Sequence, residues 1–327
     1  MNRAILKTLF LIVVAFLIMV PVITRNSYVL HVAITMGIAI ILASALRLPL
    51  ITGIFNLGQI AFYAVGSYGL VFLQRDMGIS FWLALPLTGG IAAIIALILG
   101  YVTIRVKELY FVLVSLAFVE VVRLGIEATP FLGGLKAVVV PRINPLIIPY
   151  FHKVEFNSQV AYYYLIWVLV GITLVILYRI ENSRIGTILK SIFGIPGETL
   201  ARSIGINVTS YKVFSLSIGA YFAGIAGGFF ASHSGIISPG SFTIPASVLV
   251  FIWVVVGGIS SFWGPVIGAT TLVLIGELLQ KTPYLQPILY SCILILVIYL
   301  MPKGLIDFPR VVWGNAVKPL YTRVLGG

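Results

Sequence analysis

Charge is what this sequence has least of. Only 9% of its 327 residues are Asp, Glu, Lys or Arg, against 60% hydrophobic, and the mean hydropathy is +1.13. A soluble domain carries about 25% charged residues. So little charge cannot cover a water-facing surface, which leaves lipid as the solvent, where only helices and closed barrels satisfy the backbone. Long unbroken apolar runs such as Tyr164 to Leu177 favour helices over the alternation of a barrel. Cysteine is nearly missing as well: with Cys292 alone, no internal disulfide and no thiolate metal site can form. The three histidines, His31, His152 and His233, are scattered, and none has a ligand-like neighbour four residues on, so no metal is expected. No G-x-x-x-x-G-K-[ST] phosphate loop occurs, so the chain itself should not hydrolyse ATP.

Acids number nine, and no string of them crosses several apolar segments, which counts against a proton- or sodium-driven carrier. The absence of any acid, base or metal cluster counts against a membrane-embedded enzyme, and nothing implies a cofactor. Bases outnumber acids, giving a formal net charge of +12. They sit between apolar segments, where they read as orientation signals and headgroup contacts rather than as a nucleic-acid surface.

Ten candidate transmembrane segments can be marked, at roughly 4–23, 28–46, 54–73, 80–103, 108–127, 160–179, 211–232, 244–259, 264–280 and 285–301. Arg3 and Lys7 precede the first, but no small-x-small cleavage site follows, so it is expected to be a retained helix. With the N-terminus in the cytoplasm and strict alternation, the outer side holds Arg25, Arg75, Arg123, Lys136, Arg142, Lys153 and Lys281, and the other fourteen bases lie inside. The positive-inside rule therefore places both termini in the cytoplasm. Two loops are long: residues 128–159, rich in Pro and Gly, on the outside, and residues 180–210 in the cytoplasm. Loops of this length usually have a job.

Small residues recur at helical spacing in Ala220-x-x-x-Gly224-x-x-x-Gly228 and Gly264-x-x-x-Gly268, which lets helix backbones approach closely in lipid. Gly53-Ile-Phe-Asn-Leu-Gly58 and Gly258-Ile-Ser-Ser-Phe-Trp-Gly264 each lead into a short, glycine-containing segment and hint at an internal two-fold repeat. Asn207-Val208-Thr209 matches a glycosylation sequon but falls on the cytoplasmic side, where it reads as a chance match. The most unusual polar residues are Glu120 and Arg123, near the middle of the fifth segment. Ionisable groups there are functional candidates unless they pair. Their i, i+3 spacing allows a pair on one face, and Glu127, four residues beyond Arg123, can extend it. A structural pair and a pathway-lining role both remain open.

One ordered run goes further. Asn182-Ser-Arg-Ile-Gly-Thr-Ile-Leu-Lys190 is followed by Glu198-Thr-Leu-Ala-Arg-Ser-Ile-Gly-Ile-Asn-Val-Thr-Ser-Tyr-Lys212, then Ala223-Gly-Ile-Ala-Gly-Gly228, Ile237-Ser-Pro239 and Val256-Gly-Gly-Ile-Ser-Ser-Phe-Trp-Gly-Pro-Val-Ile-Gly-Ala269. Together with Asn56-Leu-Gly-Gln-Ile-Ala-Phe-Tyr-Ala-Val-Gly-Ser-Tyr68 and Leu109 to Arg123, this run resembles the LivM-type permeases of branched-chain amino acid ABC importers. The resemblance covers most of residues 35–310. It implies a single permease domain over 1–327 in the bacterial inner membrane that moves hydrophobic amino acids by alternating access. It also implies partners: a LivH-like second permease, two ABC ATPase subunits and an extracytoplasmic solute-binding protein. Related permeases are associated with urea and short amides, and an autonomous secondary transporter or a non-transporting scaffold are the rivals from other classes.

By the same resemblance the cytoplasmic loop holds the element that rests on an ATPase, with Arg184, Gly186, Glu198, Leu200, Ala201, Ile204 and Gly205 as its residues. Here the stretch Ile192-Phe-Gly-Ile-Pro-Gly197 is longer and less charged than the family's usual pattern. Pro196 is expected to interrupt any helix at that point. A helix of about two turns is expected over Glu198 to Ile204, started by Pro196 and Gly197 and stopped by Gly205. The outer glycine-rich stretch is only loosely matched, by Thr129-Pro-Phe-Leu-Gly-Gly-Leu135.

Overall fold

The computed structural model describes residues 26–104, 108–144, 158–279 and 304–307, with single positions at 21, 288, 291, 292, 295 and 299. Among the described residues the fold is all-α apart from one short ribbon. Eight helices match the second to ninth expected segments: α1 (Ser27–Leu50), α2 (Gln59–Arg75), α3 (Phe81–Thr103), α4 (Glu108–Ala128), α5 (Gln159–Glu181), and later α8 (Val208–Ser234), α9 (Ile244–Gly257) and α10 (Gly264–Leu279). Two short helices, α6 (Arg184–Ser191) and α7 (Gly194–Ser203), fill the expected cytoplasmic loop. The expected segments at 4–23 and 285–301 lie outside the described residues. Six helical spans, over Ser27–Leu50, Phe81–Thr103, Leu109–Ala128, Gln159–Glu181, Val208–Ser234 and Pro239–Gly257, are long and apolar enough to cross a membrane by length and composition alone.

Local chemistry sets the ends. Asn26 caps α1 by accepting from the Tyr28 N–H at 3.0 Å, and Ser158 caps α5 through the Ala161 N–H at 3.3 Å. Asn207, the residue of the apparent sequon, caps α8 by accepting from the Ser210 N–H at 3.2 Å. Gly235 closes α8 in the left-handed region, with φ +70.

The bundle is organised around α8, which packs most extensively on α3 and α2 and then on α1. Its small residues explain why. A Cβ on Gly224 would lie 2.8 Å from the Ala92 Cβ and 2.9 Å from the Thr88 carbonyl oxygen of α3. On the α2 side the Gly224 carbonyl fills the space where Gly66 has no side chain, and the Ser67 hydroxyl donates to the Gly227 carbonyl at 2.9 Å. Backbone meets backbone here, as small-residue spacing in lipid allows. The pair α9 and α10 closes the same way, with Gly268 against the Trp253 carbonyl, and both rest on α1.

Helices α4 and α5 are peripheral, with only 22% and 33% of their apolar windows buried, against 72% for α8. They expose Leu113, Val121, Leu124, Val168, Ile172 and Val175, which in water would be an aggregating surface and in lipid is an ordinary outer face.

One stretch departs from the sequence expectation. The third segment was expected to begin near residue 54, but α2 starts at Gln59, and residues 51–58 run irregularly through the bundle interior. Irregular backbone inside a membrane protein needs partners of its own. The Leu57 N–H donates to the Ser115 hydroxyl of α4 at 3.1 Å, the Gly58 N–H to Asn56 Oδ1 at 2.9 Å, and the Leu57 carbonyl accepts from the Ser247 hydroxyl of α9. Gln59 reaches across to the Gly219 carbonyl of α8 at 3.2 Å. The described part of the 128–159 loop is, in keeping with its length, more than a plain connector. After a 3-10 turn at Pro130–Leu132, β1 (Val138–Val139) pairs antiparallel with β2 (Ile236–Ile237), Val138 opposite Ile237, and so fastens the loop to the end of α8.

Candidate functional site

Residues 182–207 form a helical hairpin. Ser183 caps α6 by accepting from the Gly186 N–H at 3.4 Å. Gly186 lies so close to the Glu181 carbonyl that a side chain there would collide, and this lets α6 fold back at once on the end of α5. Leu189 and Ile192 are fully buried, and Ile192, Ala201 and Val208 form a small core under the hairpin. The break between the two helices falls at Ile192 and Phe193, not at Pro196. Helix α7 begins at Gly194, two residues before the expected start, and Pro196 sits in its first turn, where the missing N–H costs nothing. Gly205, with φ +82, ends the hairpin as expected.

The seven residues expected to serve coupling divide by environment. Gly186 and Ala201 are buried and Gly205 turns the chain, so these three shape the hairpin. Glu198 is tied inward: it pairs with Lys212 of α8, itself buried, and Arg202 lies 3.6 Å from its other oxygen. Arg184, Leu200 and Ile204 face outward, Leu200 and Ile204 being 68% and 70% exposed. Phe193, the extended residue just before α7, is 56% exposed. Sequence reasoning missed Phe193, although its place ahead of the glycine turn marks it as a residue the chain could have buried and did not.

A second connection ties the hairpin to the bundle. Arg47, near the end of α1, forms a two-pronged pair with Glu181 at the end of α5, the Nη2 to Oε1 contact being 3.1 Å. Both side chains are almost completely buried, at 4% and 6% exposure. Lys190 of α6 joins Glu181 at 3.0 Å, and Arg47 Nε donates to the Ile259 carbonyl, between α9 and α10, at 2.9 Å. One buried cluster thus links α1, α5, α6 and the α9–α10 turn. Nothing in the sequence signalled it, because a base and an acid at helix ends, so far apart in the chain, each look like headgroup contacts.

In α4 the charges at Glu120, Arg123 and Glu127 are joined. Arg123 donates from Nε to Glu120 Oε2 at 2.7 Å and from Nη1 to Glu127 Oε1 at 2.6 Å. All three side chains stay partly exposed, at 32%, 26% and 18%. No group of three or more metal-ligating side chains occurs among the described residues.

The sequence profile of a family described as "Branched-chain amino acid transport system / permease component" matches residues 28–302. The chain belongs to that family. The permease is also similar to the high-affinity branched-chain amino acid transport system permease protein LivM of Salmonella typhimurium LT2, with 29% identity over 94% of this chain and 76% of the relative. LivM of Escherichia coli K12 is 28% identical over 80% of this chain and 65% of its own length. No solved structure matches. The permease is therefore a multi-pass inner-membrane protein of LivM type, a transport component and not a catalytic enzyme.

Proposed function

We propose that this chain is one of two permease subunits of an ABC importer for branched-chain or other hydrophobic amino acids. It works by alternating access: partner ATPases dock on the α6–α7 hairpin and bias a two-state helix bundle. The partners are a LivH-like second permease, two ABC ATPase subunits and an extracytoplasmic solute-binding protein. Both termini and the 180–210 hairpin face the cytoplasm, while residues 128–159 face outward. The two irregular stretches, 51–58 and 258–263, support an internal two-fold repeat.

The observation that carries this reading is the outer face of the hairpin. Phe193, Leu200 and Ile204 are apolar and more than half exposed, and among the described residues nothing covers them. Exposed apolar side chains in a hairpin that also exposes Arg184 and Arg202 have the composition of a protein contact. Glu198–Lys212 and Lys190–Glu181 then give the hairpin two separate attachments to the spanning helices. Replacing Leu200 and Ile204 by Asp tests it: membrane insertion should be unchanged, while ATPase co-purification and solute-stimulated ATP hydrolysis should be lost. Wild-type levels of both would remove the hairpin from the coupling role. Uptake that persists in vesicles lacking ATP and all partner chains would favour a secondary transporter instead.

A further inference from the structure

The hairpin's two attachments to the spanning helices lead to different places. Glu198 holds Lys212 of α8, and α8 is locked on α2 and α3 by backbone contact. A tie to so fixed a helix holds the hairpin in place. The other attachment runs through Glu181, whose oxygens join α5 to two further helices. Arg47 of α1 reaches both oxygens, and Lys190 of α6 shares Oε1 with it, at 3.0 Å against 3.1 Å for Arg47 Nη2. Gly186 of α6 sits against the Glu181 carbonyl with no room for a side chain. Helix α6 therefore cannot shift on α5 without disturbing Glu181.

Arg47 leads on from there, away from the hairpin. Its Nε donates to the Ile259 carbonyl at 2.9 Å, and its guanidinium carbon lies 5.9 Å from the centre of the Phe262 ring. Both residues belong to the turn between α9 and α10. That turn is stiff. Gly257 and Gly264 meet backbone to backbone across it, and Gly304 lies against Gly258, each with no space for a Cβ. A pull on the Ile259 carbonyl is thus felt by both helices. Stability alone does not account for the ion pair. Arg47 and Glu181 are 4% and 6% exposed, and a buried pair adds little over apolar side chains of the same volume. What the two-pronged pair supplies is direction, because a planar guanidinium meets a carboxylate in a fixed geometry. Two cations on one oxygen also make it sensitive to movement. As Lys190 advances or withdraws with α6, the hold of Glu181 on Arg47 weakens or tightens.

We propose that Glu181 and Arg47 are positioning residues that carry movement of the hairpin to the α9–α10 turn, with Lys190 as the input and the Ile259 carbonyl as the output. The proposal rests on the reading that an ATPase docks on the hairpin. When the docked ATPase moves α6, the end of α5 shifts with it and Arg47 follows the carboxylate. The turn is drawn along, and α9 and α10 change their setting on α1 while α8 stays fixed on α2 and α3.

The test uses the complete complex with cysteine-free partner chains, a Cys292→Ala permease, and AMP-PNP as the nucleotide. Ser260→Cys, at an exposed position of the turn, reports the output, and Ser203→Cys, exposed on α7, reports the input. With Arg47 and Glu181 in place, the maleimide labelling rate at each should change by about threefold or more when AMP-PNP is added. Arg47→Met/Glu181→Leu removes both charges and fills most of their space, so the fold and ATPase co-purification should be kept. In that variant the response at Ser203→Cys should remain, while the response at Ser260→Cys should fall below about 1.5-fold. An undiminished response at Ser260→Cys makes the pair merely structural and overturns the relay, with the docking reading left standing. A Ser260→Cys that is silent with the pair intact also overturns it. No response at Ser203→Cys with the pair intact overturns the docking reading, and the relay with it. Where the double variant fails to assemble, Lys190→Ala decides, since it alters only a half-exposed side chain. It should lower the Ser260→Cys response about twofold, and a full response overturns the proposal.

Discussion

Removing the Glu181 carboxylate should unsettle the permease more than any other single charge change. In Glu181→Ala the Arg47 guanidinium, 4% exposed, keeps its positive charge and its one bond to the Ile259 carbonyl and loses both bonds to the carboxylate. Breaking a buried pair from one side costs about 3–5 kcal/mol, because the surviving charge stays uncompensated. Lys190 is 48% exposed and can turn to water, so Lys190→Ala should cost at most about 1 kcal/mol. The double variant Arg47→Met/Glu181→Leu removes both charges and fills most of the space, and it should be more stable than either single variant. SDS-induced unfolding of the purified permease, arranged as a double-mutant cycle, measures all of this. A loss below about 1 kcal/mol in Glu181→Ala, or additive losses in the double variant, would refute the reasoning.

Two further outcomes are expected. Single cysteines at Ser203 and Lys136, both exposed positions, in a Cys292→Ala background should react oppositely with a membrane-impermeant reagent in whole cells: Lys136→Cys labelled, Ser203→Cys not. The reverse pattern sinks the proposed topology. Gly224→Ala should destabilise the fold by about 1–3 kcal/mol, since its Cβ meets Ala92 and Thr88, while Gly125→Ala, with open space around it, should be neutral or slightly stabilising; equal effects in the same unfolding assay would contradict the backbone-contact account of α8.

Helix positions were largely legible in the sequence, because a membrane span is a property of composition over a window, and composition is local. The irregular stretch at 51–58 was not. Its hydropathy matches a span, and the hydroxyls that satisfy its Leu57 backbone in place of helical bonds, from Ser115 and Ser247, come from distant parts of the chain. Pro196 shows the same limit at short range. A proline rules out a helix interior but is at home in a first turn, so it could not say whether a helix ended before it or had just begun. Of the residues expected to serve coupling, the pattern gave the outward face of Leu200 and Ile204. It gave neither Phe193 nor the ties to Lys212 and Glu181, since those partners are fixed by how α5 and α8 end.

The glycine contacts of α8 also have a mechanical meaning. Where two backbones touch with no side chain between them, a sliding motion of one residue would drive a Cβ into a carbonyl. Helices α2, α3 and α8 are therefore keyed together and turn as one block. The stretch that leads into α2 is joined differently, through Leu57 to the hydroxyls of Ser115 of α4 and Ser247 of α9, which can release one carbonyl or N–H and take another at little cost. If the bundle opens, the keyed block holds its shape and the hydroxyl-joined seam is where it parts. The three charged side chains of α4 ride on the helix that borders this seam.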